Sequence, residues 1–147
     1  MEKQKANQLK SEFFTLQELI NSSTAKRLMI NNTPTQEILK NLQYGVDMVL
    51  DPLRRIHRKP IIITSGYRCV QLNKAVGGVA NSWHTKGNAA DIHIKDEAEA
   101  QEIFEILKTL PSVDTALFEH SNSAQWIHVQ WDMTKTPRHH FNFNYKA

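Results

Sequence analysis

Ile38, Leu42, Val46, Val49, Leu53 and Ile56 recur at spacings of three and four, with Gly45 beside Val46, and so draw one apolar stripe along a long helix. Such a stripe has to be buried, so the rest of the chain must supply a surface to cover it. Thr33-Pro34-Thr35 leads into this helix. Pro52 lies within the stripe and predicts a kink or a restart, because proline lacks the amide donor that the helix needs there.

The surrounding segments alternate in type. Thr15-Leu16-Gln17-Glu18 is a capping-box pattern that opens a short helix. SSTA at 22–25 offers another helix start, and VQLNKAV at 70–76 reads as one or two turns ended by Gly77-Gly78. Asp96-Glu97-Ala98-Glu99 is a second capping box, opening a helix with Ile103, Phe104, Ile106 and Leu107 inward and Pro111 closing it. PIIIT at 60–64 reads as a buried strand, and residues 89–94, 113–118 and 126–131 as three more, the last two joined by a hairpin through HSNSAQ. The tail after Pro137, RHHFNFNYKA, has no clear period. Helices first and strands mixed with helices later predict an α+β fold, a small and mostly antiparallel sheet packed by helices. Residues 1–12 read as a flexible polar segment and 13–147 as a single domain, with no repeats and no linker.

Composition narrows the chemistry. A chain of 147 residues with one cysteine, Cys69, can form no internal disulfide and no thiolate zinc cluster, so a metal here has to be held by histidine and carboxylate. The net charge of +3 is mild and no dense Lys/Arg run exists, which argues against a nucleic-acid partner. No apolar stretch reaches the length of a membrane span, and the N-terminus has no apolar core of a signal peptide, so the expectation is cytoplasmic synthesis.

Residues 82–94, SWHTKGNAADIHI, concentrate the polar chemistry. Catalytic zinc takes three protein ligands and keeps one position open. His84 in a loop and Asp91 at a strand start meet if the chain doubles back, and Gly87 has the freedom for that turn. His128 in WIHV is the best third ligand, since adjacent strands about 4.8 Å apart bring it to the same ion. On spacing alone the plainer reading stands ahead: a surface loop histidine, a capping aspartate and a hydrogen-bonded strand histidine.

A longer pattern changes that balance. Ser65-Gly66-Tyr67-Arg68, Asn73, Val76-Gly77-Gly78, Ser82-x-His84-x-x-Gly87-x-Ala89-Ala90-Asp91 and Trp126-Ile127-His128-Val129 occur in order. FFTLQEL, SSTAKRL, NTPT and LDPLRR precede or flank them. Together these motifs, over roughly residues 13–131, resemble the zinc D-alanyl-D-alanine metallopeptidases: D,D-carboxypeptidases, D,D-dipeptidases and phage endolysins of the hedgehog/D,D-peptidase fold. The resemblance implies Zn2+ held by His84, Asp91 and His128. It also implies a role for Arg68 in holding a substrate carboxylate or polarising the scissile carbonyl, which suits the rigid donor fork of guanidinium. Ser82 either bonds substrate backbone or braces the loop. Tyr67 is expected to pack, and Asn73, Gly77 and Gly78 to shape the loop. His93 has the parity of Asp91 but lies beyond the motif, and reads as a supporting or plain strand residue.

The general base is the point of departure. Many members of the wider family carry an acid three positions before the last histidine ligand, where this chain has Gln125, which cannot accept and return a proton. Glu119 is the substitute, because VDTALFE resembles the subgroup strand that ends in glutamate. Paired with Trp126 or His128 it shares the face of His128; paired with Ile127 it points away. Asp114 reads as structural, His120 as a loop residue and Trp131 as core. Trp83 and Trp126 either wall the site or pack, with packing preferred for Trp126. His139 and His140 with Phe141 and Phe143 read as a tail packed on the surface. The function expected is zinc-dependent hydrolysis of peptidoglycan stem peptides at or next to D-amino acids, with Glu119 and Arg68 in catalysis and Arg68 and Ser82 on substrate. The rival is an inactive zinc-containing wall-binding module of the same fold.

Overall fold

The computed structural model describes residues 9–144. Over this range six α-helices and a five-stranded sheet make up an α+β fold, as expected. Three short helices carry side-chain caps. Thr15 and Glu18 form the full capping box of α1 (Leu16–Ile20), and Ser22 accepts from the Ala25 amide to open α2 (Ser23–Leu28). Cys69 caps α5 (Val70–Ala75) through its sulfur. Thr35 opens α3 (Gln36–Gly45). Asp96 opens α6 (Glu97–Lys108), although Glu99 reaches back to the Lys95 amide rather than to that of Asp96.

The apolar stripe is real, but it does not run straight to Ile56. Between α3 and α4 (Asp51–His57) the chain makes a π-helical turn, Val46–Leu50, in which the Asp51 amide reaches the Val46 carbonyl. This wide turn stands in place of the kink expected at Pro52, whose ring falls in the first turn of α4, where no amide donor is needed. The extra residue also rotates the whole of α4 about its axis. His57 is therefore buried where the period points to Ile56, and Ile56 is exposed.

The strands are β1 (Ile63–Ser65), β2 (Ala89–His93), β3 (Thr115–His120), β4 (Gln125–Gln130) and β5 (His140–Asn142), ordered β1-β2-β4-β3-β5. All pairings are antiparallel except β3 with β5. PIIIT is a buried strand only in part: pairing starts at Ile63, at the sheet edge and with an irregular register, while Ile62 is exposed. The tail without a period adds β5, a strand of three residues that has no room to show alternation. Phe141 and Phe143 dock on Phe104, and Phe143 also meets Phe118. At the N-terminus, the segment expected to be loose lies outside the described residues up to residue 8. Beyond that point Lys10 exchanges main-chain bonds with the Gln43 side chain, and Ser11 donates to Asp51.

One face of the sheet buries Ile92, Ala116, Phe118, Ile127 and Val129 against α6 and the α3–α4 stripe. Trp131 ties this core to the loop that carries His84. Its indole donates to the carbonyls of Asn41 in α3 and Gly87, and the side chain of Asn41 donates to the Lys86 carbonyl. A Cβ on Gly45 would lie 2.0 Å from the Trp131 ring, so the indole needs that glycine. Trp131→Ala should cost about 3–5 kcal/mol, read as a loss of denaturation midpoint, and should loosen residues 83–88 first in hydrogen exchange.

Buried Asp114 receives the Arg138 guanidinium at 2.6 Å and the Arg138 amide at 3.0 Å. Burial alone would raise its pKa, but the Arg138 bonds outweigh that and hold it below the usual carboxylate value. This assigns Asp114 a structural part, as expected. A lowered folded-state pKa gives stability that is complete above the unfolded value and fades as pH falls through the folded one. Arg138→Ala is expected to lose about 2 kcal/mol near neutral pH. The gap from wild type in thermal melts should narrow as pH falls through the lowered pKa of Asp114 and close once the carboxyl is protonated in both chains.

Candidate metal centre and cleft

The face of the sheet opposite the core is polar at its centre. In β2 and β4, Asp91 pairs directly with His128, and in β3 and β4, Glu119 pairs with Trp126 and Leu117 with His128. Side chains two apart on a strand share a face, so Asp91, His128, Trp126 and Glu119 all rise on the same side. This is one of the two registers that favour Glu119.

His84 arrives from outside the sheet. It sits in a 3₁₀ turn, Trp83–Lys86, opened by Ser82, whose Oγ accepts the His84 amide. Gly87 ends the turn with φ of +75°, and a Cβ there would stand 2.9 Å from the Ile38 carbonyl. Glycine thus supplies both the left-handed backbone and the close approach to α3 that double the chain back into β2.

The ligand atoms of His84, Asp91 and His128 lie within 4.8 Å of one another. His128 Nδ1 is 3.0 Å and His84 Nε2 is 3.4 Å from the same Asp91 oxygen. Two ligands on a tetrahedral zinc at about 2.0–2.1 Å stand roughly 3.3 Å apart, so these separations fit a shared cation. Each imidazole has an acceptor behind it: His84 Nδ1 meets the Gly66 carbonyl at 2.7 Å and His128 Nε2 meets Gln130 Oε1 at 2.7 Å. The outer nitrogens thereby carry the hydrogens and the inner ones face the carboxylate, the arrangement that metal-binding histidines require. Two imidazoles and a carboxylate form a donor set suited to zinc.

The electrostatics reflect this packing. Burial works to raise the Asp91 pKa, but the His128 and His84 imidazoles that face its carboxylate prevail and hold it below the usual carboxylate range. Burial works to lower His128, but Asp91 outweighs it and the imidazole pKa is raised. Glu119 moves up, mainly because it is buried, with His128 opposing and Asp91 adding to the rise.

A cleft of about 730 Å³ opens over these groups, bordered by Arg68, Trp83, Leu117, Glu119 and Trp126. Trp126 is only half-buried and its indole donates to Glu119 Oε2 at 3.2 Å, so it walls the cleft rather than packing in the core as preferred from sequence. Trp83 borders the cleft with Arg138 over its ring at 5.5 Å. Among the described residues the Arg68 guanidinium makes only a long hydrogen bond, to Ser65 Oγ at 3.4 Å, and its Nε is buried without a partner. Burial lowers its pKa, with Asp91 opposing. Asn73 and Gly78 shape the opposite rim: Asn73 donates to the Val79 carbonyl, and a Cβ on Gly78 would collide with its amide. Tyr67 is buried packing, and Trp131 is core.

Other polar candidates lie elsewhere. His93 is an exposed strand residue, and His120 and His140 are exposed as well. His139 meets the Pro111 carbonyl. Gln125, three positions from His128, falls on the opposite strand parity and borders a separate hollow with Lys95, Ser121 and Asn122. Any acid at that position would need a different strand geometry to reach the cleft. Two contributors escape a reading of the sequence. Asn32 is buried, donates to the carbonyls of Ile20 and Tyr67, and accepts the Cys69 amide, so it grips the chain on both sides of Arg68. Its place in NTPT is the available signal. Gln130 has none beyond its parity with His128.

Among known proteins, the family model described as Peptidase M15 matches residues 12–130. No curated protein matches the chain.

Proposed function

Since the chain belongs to the M15 peptidase family, whose members are metal-dependent and typically use zinc, we propose that it hydrolyses peptide bonds of peptidoglycan stem peptides at or next to D-amino acids. The convergence of His84, Asp91 and His128 within 4.8 Å, beneath a cleft that also holds Glu119, carries this reading.

His84, Asp91 and His128 would hold zinc. When bound, zinc polarises a carbonyl oxygen and lowers the pKa of water in its open position. Glu119 takes the proton of the attacking water and hands it to the leaving amine. Its raised pKa suits both halves of that task, and Trp126 aims its carboxylate. Arg68 offers unused donors to a substrate carboxylate or to the scissile carbonyl, as a fork that no lysine reproduces. Ser82 is mainly a brace for His84, with its position on the cleft wall allowing a bond to substrate backbone. Val79, Leu117 and the two tryptophans offer apolar surface to methyl side chains.

Metal analysis together with mass spectrometry of digested peptidoglycan tests the proposal. Stoichiometric zinc and shortened or released stem peptides, both abolished by a chelator, are expected. Zinc-loaded protein that leaves every stem peptide intact, over several wall chemistries, would reduce the chain to a wall-binding module.

A further inference from the structure

The two imidazoles of the metal centre are held from behind by different means. His84 leans on a main-chain carbonyl, that of Gly66, which no substitution removes. His128 leans on a side chain, Gln130. We infer that Gln130 is a positioning residue for metal binding: its carboxamide oxygen holds the His128 Nε2 hydrogen and so presents Nδ1 to the cation.

Four observations support this. Residues 128 and 130 share a face of β4, and the Gln130 side chain turns back along the strand to reach Nε2 at 2.7 Å, a short and well-formed bond. Gln130 is buried at 8% exposure, so water competes little for that hydrogen. Its cross-strand neighbour on β2 is Ala89, fully buried and small, which leaves room for the amide to lie flat on the sheet. Its neighbour on the other side, Thr115, directs its hydroxyl to Asp114 and makes no demand on the amide.

Imidazole chemistry points the same way. A histidine that ligates through Nδ1 must carry its hydrogen on Nε2, and in a buried site that hydrogen needs an acceptor. A glutamine oxygen meets the need without adding charge beside Asp91. With the acceptor gone, either Nε2–H is left unpaired in a buried site, which disfavours the tautomer that ligates through Nδ1, or the ring turns over and carries Nδ1 away from Asp91; both weaken the hold on the cation. The inference rests on the proposed metal centre but not on the peptidase reaction.

Zinc affinity measured by competition with a chromophoric chelator tests it. Gln130→Leu, similar in size but without an acceptor, should bind zinc about 10–100-fold more weakly than wild type. Gln130→Glu, which keeps an acceptor in place, should bind at least as tightly as wild type. In 1H–15N spectra of the zinc-loaded protein, the His128 Nε2–H should be visible in wild type and in Gln130→Glu, and lost to solvent exchange in Gln130→Leu. Circular dichroism checks folding; if Gln130→Leu does not fold, Gln130→Ser, too short to reach the ring, takes its place. Equal zinc affinity in wild type and Gln130→Leu overturns the inference. So does equal weakening in the Leu and Glu variants, which would mark a packing role for the amide. A wild-type chain that takes up no zinc overturns it as well, whereas zinc uptake without peptide cleavage overturns only the functional reading.

Discussion

Glu119→Gln is expected to lower peptide hydrolysis by about 10²–10⁴-fold, the usual worth of a positioned proton-transfer group, with zinc content unchanged. Glutamine keeps the shape of the side chain and still accepts the Trp126 indole hydrogen bond. It removes only the ability to take a proton and return it. The variant therefore separates chemistry from architecture: kcat should fall with little change in thermal midpoint. The pH profile gives a second handle. Because burial raises the Glu119 pKa, the carboxylate is the base only above that raised value. The acid limb of kcat/KM should accordingly lie above the ordinary carboxylate range of about 4, and activity should be lost as pH falls through it. A Glu119→Gln enzyme with near wild-type turnover would transfer the base role to another group, and among the described residues the cleft offers no third carboxylate besides Asp91.

Asp91→Ala has the larger effect on the metal. In the proposed zinc site the carboxylate is the hub, sharing one oxygen between both imidazoles. Loss of that anionic ligand should weaken zinc binding by well over the roughly 10–100-fold that accompanies loss of a supporting hydrogen bond, and hydrolysis should disappear with it. Stability responds differently. The backbone of Asp91 keeps its ladder with His128 and its register with Ser65, and the Thr64 hydroxyl bonds the Asp91 carbonyl rather than its side chain. The metal-free variant should thus stay folded, measurable by circular dichroism beside zinc content. Retention of stoichiometric zinc in Asp91→Ala would remove Asp91 from the ligand set.

How much of the fold is legible in the sequence depends on the range of each interaction. The Thr15–Glu18 box, the Ser22, Thr35 and Asp96 caps and the Gly77 and Gly87 turns are made by residues within a few positions of each other, and each is legible. The helix stripe is legible up to Leu53, but the π turn is not. A local period of three to four contains no mark of an inserted residue, and the consequence, His57 inside and Ile56 outside, depends on how α4 meets α6. Similarly, the apolar character of Trp126 argues for the core, whereas its indole turns to Glu119 because the β3–β4 register sets the two side by side. Asn32 and Gln130 look like ordinary polar residues until their partners, 12 to 37 positions away for Asn32 and across a ring for Gln130, are in place.

The sequence by itself determined which side chains were available for the candidate metal centre, through the ordered motifs around Arg68, His84, Asp91 and His128, and which face of each strand they share, through the alternation of an extended chain. Only the tertiary structure decided that Asp91 stands directly opposite His128, that Glu119 stands opposite Trp126, and that each imidazole finds an acceptor behind it. Those outcomes rest on strand register and on hydrogen bonds between distant segments, and these are set when the apolar face of the sheet is buried against the helices, a condition no single stretch of the chain contains.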